Sequence, residues 1–409
     1  MTVKLKEEFM NYISNALNRV QPSATVGISQ KARAMKNTGK DIIVLSAGEP
    51  DFDTPQNVKD AAKKAIDENQ TKYTNVGGII ELREAIAAKF KRDNNLDISP
   101  DNCFVSTGGK QIIFNAMLAT LNKGDEVIIP TPYWVSYPEV VRLCDAKPVF
   151  ISTDETSNFK LSPTALKAAI TPKTKWLMLN SPSNPSGSVY TKDELKALAE
   201  ILKQYPNILI LSDDIYEQLI YDGFTFSTMA QAAPELGERI LTMNGLSKSH
   251  AMTGWRIGYC AGPSFLIKAM AKLQSQSTSA TCSIAQWAAV EALNGEQDFL
   301  DEWREIFAKR RNMLVNGLNK IEGFDCLKPS GAFYVFPSIK PFIGKTSKGG
   351  QKITSDEDFV FALLEENDVA LVHGSAFGID NHIRISYAAS QDSLSEALKR
   401  IEQFCIDLH

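Results

Sequence analysis

Three short polar groupings carry residue types suited to chemistry on an amine. Asn184 stands in NSPSNPSG, Asp213 and Tyr216 in SDDIYE, and Lys248 in NGLSKSHAMTGWRIGY. Each follows an apolar run that reads as a buried strand: KWLMLN, ILILS and RILTMN. Open α/β sheets bind ligands at the carboxyl ends of their strands, so the three groupings are expected along one edge. A lysine amine that can lose its proton forms imines. A buried carboxylate beside a pyridine-type nitrogen keeps that nitrogen protonated, because each charge stabilises the other. Tyr216 and Asn184 offer donors to a ring oxygen. Arg256, eight residues past Lys248, and the turn Gly108-Gly109-Lys110 between a strand and a helix offer partners for a phosphate.

Each grouping alone has an ordinary reading. A lysine in a Ser/Gly loop is usually a solvated charge. An Asp after a strand is usually a helix cap, and Asn-Pro is a turn signal. Their order and shared edge make the set informative. The GGK turn is not a nucleotide-binding P-loop, because residues 108–111 are GGKQ and no Gly stands five residues before Gly109. No GxGxxG is present for a dinucleotide.

The elements that must position these groups read as an α/β protein. DEVIIP, KPVFIST, KWLMLN, ILILS, RILTMNG and WRIGYCAG are short apolar runs separated by helical patterns such as KDELKALAEILKQY. They predict a mixed, mostly parallel sheet covered by crossover helices. A helix over 56–69 is expected, with Thr54-Pro55 as cap and first turn. Long helices follow over about 283–320, then a small α+β region with GAFYVF, VALVHG and IRISYA as strands. A large domain over 58–301 and a small domain built from 1–57 and 302–409 are expected. Phe9, Tyr12, Ile13 and Leu17 suggest an amphipathic N-terminal arm. The Lys/Gly/Ser stretch 345–352 is expected as a mobile loop.

The chain has 409 residues and a formal charge of -4, which argues against a nucleic-acid partner. None of its six cysteines forms a CxxC pair or has a His at ligand spacing, so no metal is expected. Free thiols, no signal-peptide pattern and no membrane-length apolar run suggest a cytoplasmic protein.

NSPSNPSG, SDDIYE, SKSHAMTGWRIGY and IRISYA, in this order and at these separations, resemble the class I, fold-type I pyridoxal-phosphate-dependent aminotransferases. The resemblance runs from the PSAT of residues 22–25 almost to the C-terminus. SAGEPDFDTP, TKYTNVGG, STGGKQ and PYWVSYPE further resemble the bacterial aspartate aminotransferase branch. The resemblance implies pyridoxal 5'-phosphate held on Lys248, with Asp213 at the ring nitrogen and Tyr216 and Asn184 at the ring oxygen. It implies Trp134 stacked on the ring and the phosphate held by Arg256 and the backbone of Gly108, Gly109 and Lys110. Tyr73 would reach the cofactor of a second subunit, which makes a homodimer part of the site. Arg384 would clamp the substrate α-carboxylate, which the main chain at Gly48 would also touch. Lys110 would serve the phosphate or a distal carboxylate.

Two departures stand out. Asp214 replaces a more usual Glu, and Gly245 stands where many relatives carry a phosphate-binding Ser or Thr, which shifts weight to Lys110 or Ser247. Gln21-Pro22 precedes the rest of PSAT, where relatives that accept prephenate carry Lys, so prephenate is disfavoured. The expected activity is ping-pong transfer of an amino group between L-aspartate and 2-oxoglutarate. Aminotransfer from another amino acid (aromatic, alanine, prephenate or arogenate) and a pyridoxal-phosphate lyase remain alternatives. A cofactor-sensing transcription regulator is disfavoured, because only about twenty residues precede PSAT.

Overall fold

The computed structural model describes residues 12–22 and 24–409, apart from the side chains of 24–26. Its strands are β1 (Ile43–Val44), β2 (Cys103–Ser106), β3 (Glu126–Pro130), β4 (Lys147–Ile151), β5 (Thr174–Asn180), β6 (Leu209–Asp213), β7 (Ile240–Gly245), β8 (Gly258–Ala261), β9 (Tyr334–Val335), β10 (Val369–Ala370), β11 (Val372–His373) and β12 (Ile383–Ser386). Seven of them form one sheet in the order β2-β8-β7-β6-β5-β3-β4. Only β8 runs against its neighbours β2 and β7; the other pairs are parallel. This is the mixed, mostly parallel α/β sheet that the apolar runs predict.

Alternation along the strands explains why helices cover both faces. Val127, Ile129, Trp176, Met178 and Leu211 bury into one apolar cluster. Ile128, Leu177, Leu179 and Ile210, one residue out of step, bury into another. Successive strand residues point to opposite faces, so a run apolar at every position needs cover on both. The helix Lys192–Leu202 supplies part of that cover. It starts where Thr191 and Glu194 cap each other's backbone N–H groups, and it buries Leu195, Leu198, Ala199 and Leu202.

A second core joins the two ends of the chain. Ile28, Ala32, Ile42 and Leu45 pack with residues from Phe307 to Leu408. β1 pairs in parallel with β10, and β12 lies antiparallel between β11 and β9. The helix Phe299–Leu318 spans this region and is held to the segment before residue 54 by a bidentate ion pair, Arg310 to Asp51, at 2.7 and 2.9 Å.

Some local expectations differ from the structure. The helix expected over 56–69 runs Gln56–Asp67 with Pro55 at its cap. Thr54 does not cap it, because its hydroxyl donates to the Ala251 carbonyl instead, at 2.8 Å. Tyr12, Ile13 and Leu17 of the expected arm are exposed, and Phe9 lies outside the described residues. The 345–352 stretch is tied down: Ser347 Oγ donates to Glu366 at 2.5 Å, and the Thr346 N–H donates to the His409 carbonyl at 2.8 Å. Among the described residues no helix is long and apolar enough to cross a membrane.

Candidate active site

Parallel register aligns the chemistry. Asn180 pairs with Asp213 across β5 and β6, and Asp213 pairs with Met243 across β6 and β7. These three residues therefore stand side by side at the carboxyl edge, with Lys248 three residues beyond β7. A cavity of about 690 Å³ opens there. Its lining includes Gly48, Gly109, Lys110, Trp134, Asn184, Asp213, Tyr216, Ser247, Lys248, Arg256 and Arg384.

Asp213 is buried, and burial pushes its carboxyl up to about 6, against a pull downward from the Tyr137 hydroxyl. That hydroxyl donates to Asp213 Oδ2 at 2.5 Å. Asp214 next to it is also buried and is pushed up to about 8 by desolvation; its Oδ1 accepts from the Ser212 hydroxyl at 2.7 Å. Lys248 faces the cavity, and desolvation lowers its ammonium to about 8, with Glu49 opposing. Its Nζ donates to the Gly48 carbonyl at 2.5 Å. A Cβ at residue 48 would lie 3.0 Å from the Tyr334 hydroxyl, so glycine lets this carbonyl come close.

Arg384 stands on β12 and reaches the same cavity. Its Nη1 donates to Asn184 Oδ1 at 3.0 Å and its Nη2 to the Ser46 carbonyl at 2.6 Å. Its Nε is buried with no hydrogen-bond partner. A buried unsatisfied N–H is costly. Asn184 is in turn fixed by Asn180, which accepts from the Asn184 N–H at 2.8 Å and donates to the Asp213 carbonyl at 2.9 Å. One hydrogen-bonded chain thus links Arg384 to Asp213. The Tyr216 hydroxyl pairs with that of Tyr334 at 2.9 Å, and Arg384 lies over the Tyr334 ring at 4.6 Å.

The phosphate candidates meet at the start of the helix Gly109–Thr120, whose first N–H groups have no partner within the helix. Arg256 packs against Gly108 so closely that a Cβ there would sit 2.4 Å from its Nη2. A Cβ at residue 258 would lie 2.3 Å from the Gly109 nitrogen. Glycines at 108, 109 and 258 therefore let a guanidinium, a helix start and a strand converge, and a guanidinium beside free helix-start N–H groups suits an anion. Lys110 reaches over the Trp134 ring at 5.0 Å, and burial and Arg256 lower its ammonium's pKa. At Gly245 a side chain would meet Ile215 Cδ1 at 3.0 Å, so no hydroxyl is offered from this position.

Gly108 and Tyr73 are not among the residues lining the cavity, and Tyr73 is 99 % exposed. Tyr137 and Tyr334 were missed as site residues. Tyr137 lies within PYWVSYPE and Tyr334 within GAFYVF, but nothing in their spacing distinguishes them from core aromatics.

Residues 40–401 match the family model of aminotransferases of class I and II. The chain belongs to this family. Membership implies pyridoxal phosphate as cofactor, and the donor set fits it: a lysine with a lowered pKa, a buried acid and an anion cradle border one cavity. A "Probable aspartate/prephenate aminotransferase" of Rhizobium leguminosarum bv. phaseoli is 58 % identical over 396 residues, 97 % of this chain and 99 % of that protein. The crystal structure of an aspartate aminotransferase from Rhizobium meliloti superposes with a TM-score of 0.94 at 52 % identity, covering 97 % of this chain and 99 % of that one. An aspartate aminotransferase from Thermus thermophilus, solved with maleate, gives 0.90 at 43 % identity, covering 96 % and 99 %.

Proposed function

We propose that this family member is an aspartate aminotransferase that moves the amino group of L-aspartate to 2-oxoglutarate in two half-reactions. The observation that carries the reading is the convergence of Lys248, Asp213 and Arg384 on one cavity from three separate elements. When bound, pyridoxal phosphate supplies a carbonyl carbon for the substrate amine and a ring that accepts the electrons left when the α-proton departs. Lys248 Nζ anchors the cofactor, then takes the α-proton and returns it, a task suited to an amine with a lowered pKa. Asp213 keeps the ring nitrogen's proton in place. Tyr216 and Asn184 hold the ring oxygen, and Trp134 packs on the ring face. Arg256, Lys110 and the N–H groups after Gly108 hold the phosphate. Arg384 orients the substrate through its α-carboxylate, using a planar fork that lysine lacks.

The same reading includes a cytoplasmic homodimer in which the exposed Tyr73 serves the partner's site, and a small domain (1–57 with 302–409) that closes on the large one (58–301). The apolar cluster shared by Ile28–Leu45 and Phe307–Leu408 supports that division. A second substrate reading is favoured by the combined name of the 58 % identical relative. Gln21-Pro22 counts against prephenate, and that relative counts for it. The test is to add L-aspartate, without any oxo acid, to the cofactor-loaded protein. Conversion of its yellow absorption to the amine-cofactor form, with one equivalent of oxaloacetate, is expected. A spectrum unmoved by aspartate but moved by arogenate would replace the first reading with the second.

A further inference from the structure

His382 stands immediately before β12, two residues from Arg384. Its Nδ1 lies 2.9 Å from the Asp380 carbonyl and its Nε2 2.6 Å from Glu155 Oε1. A carbonyl and a carboxylate oxygen only accept, so both ring nitrogens carry hydrogens and donate. The ring stacks on Phe336, with centroids 5.0 Å and planes 17° apart, and lies T-shaped to Phe159 at 6.0 Å. An ion pair on a protein surface contributes little. This one differs, because His382 is only 7 % exposed and two aromatic rings fix its imidazole.

The pair joins two sheets. Glu155 lies four residues past β4 and Asn184 four residues past β5, with β3 between those strands. Both rise from the carboxyl edge of the seven-stranded sheet. His382 is bridged to Ser338, and successive extended residues point to opposite faces, so His382 and Arg384 point the same way. His382 reaches Glu155 as Arg384 Nη1 reaches Asn184 Oδ1, at 3.0 Å. Backbone bonds fix β12 between β11 and β9. They leave open how far the strand stands from the edge that carries Asp213 and Lys248, and these two side-chain bonds set it. A bond from the Tyr133 N–H to the Phe377 carbonyl, at 3.0 Å, ties the turn after β11 to the large sheet but does not touch β12. Glu155 is presented by a stiff turn: Asp154 Oδ1 accepts from the Ser157 N–H at 3.1 Å, and the Asp154 N–H donates to Ser157 Oγ at 3.2 Å. Among the described residues Glu155 makes no other ion pair.

We propose that Glu155 and His382 are positioning residues for Arg384. Their bond holds β12 at the distance from the seven-stranded sheet at which the Arg384 guanidinium meets the α-carboxylate of an amino acid whose amine lies at Lys248. This rests on the aminotransferase reading above. His382 touches no reactant and acts through two residues of strand. Breaking the pair loosens β12 and weakens amino-acid binding. The residues that hold the cofactor belong to the seven-stranded sheet and its loops, and they keep their places.

The test measures KM for L-aspartate, kcat and the dissociation constant of pyridoxal phosphate in wild type, E155A, E155Q, H382F, H382Q and E155A/H382F, and repeats H382F in an R384K background. H382F keeps the stack and removes both donors, whereas H382Q keeps a donor for Glu155. The Glu155 side chain is 38 % exposed, so E155A leaves the core intact. KM should rise roughly 3- to 10-fold in E155A and in H382F, the size of effect expected of residues that act through a neighbour. It should rise no further in the double variant, and less in H382Q and E155Q. The kcat and the cofactor's dissociation constant should hold. In R384K, H382F should add nothing, because the guanidinium it positions is gone. A packing defect would instead lower kcat and cofactor affinity and would add to R384K. Unchanged KM in E155A and H382F, or an H382F effect of full size in R384K, would overturn the positioning role and leave the activity reading standing. A wild type that converts no amino acid would overturn the activity reading and the role with it.

Discussion

Replacing Asp213 with Asn should stabilise the cofactor-free chain at neutral pH while destroying its catalysis. Burial raises the Asp213 carboxyl from 3.8 to about 6. An unfolded chain would release this proton near 3.8 and the folded chain near 6. Between those values the folded form holds more protons, so stability falls as pH rises, and above about pH 6 the loss is complete. At about 1.36 kcal/mol per tenfold change, the full loss is about 3 kcal/mol. Roughly half of it develops between pH 5 and pH 8. D213N removes the charge and keeps an acceptor for the Tyr137 hydroxyl. Any cost of burying its amide hydrogens is the same at both pH values. In urea unfolding of the two cofactor-free proteins, the stability of D213N relative to wild type should therefore grow by about 1 to 2 kcal/mol from pH 5 to pH 8. A difference independent of pH would refute the claim that Asp213 is held against its own ionisation. Saturating cofactor should stabilise wild type more than D213N, because only the carboxylate gains a cationic ring nitrogen as its partner.

Capture of pyridoxal phosphate by the cofactor-free chain should accelerate with pH through about 8 and then level off, since desolvation lowers Lys248 and only its neutral amine can add to a carbonyl. A stopped-flow midpoint near the ordinary lysine value would contradict this. R384K should raise KM for amino acids roughly 10- to 100-fold, the loss of a charge-assisted bond of about 1.5–3 kcal/mol, in steady-state assays. An unchanged KM would remove Arg384 from the α-carboxylate. G258A should weaken cofactor binding and lower Tm, because its Cβ would lie 2.3 Å from the Gly109 nitrogen and must push the turn aside; equilibrium dialysis and thermal melts check it.

Much of the site was legible because its signals are local. A mostly apolar strand ends abruptly, and a polar residue at its end or a few residues beyond stands at the ligand edge: Asp213 closes β6, Asn184 lies four residues past β5 and Lys248 three past β7. Tyr137 and Tyr334 were not legible, because their partners lie at sequence separations of 76 and 118 residues. A tyrosine in a helix and one in a strand look like core until tertiary contacts bring their hydroxyls to Asp213 and Tyr216. The 345–352 stretch misled through composition, since Gly, Ser and Lys suit a mobile loop as well as one pinned by Glu366 and His409.

Three of the groups that the sequence singles out share one physical condition. Asp213 is held toward its neutral form, Lys248 toward its free amine, and the Arg384 Nε without an acceptor. Each is unfavourable in the cofactor-free chain, and on the proposed reading each would be relieved by a different part of the reactants: the ring nitrogen, the carbonyl carbon and the α-carboxylate. Stability withheld at three points in the cofactor-free chain would return in full only when all three ligand features are present. A ligand lacking one of them leaves one group unrelieved, so the cavity selects for an amino acid presented to a cationic ring before any bond is broken.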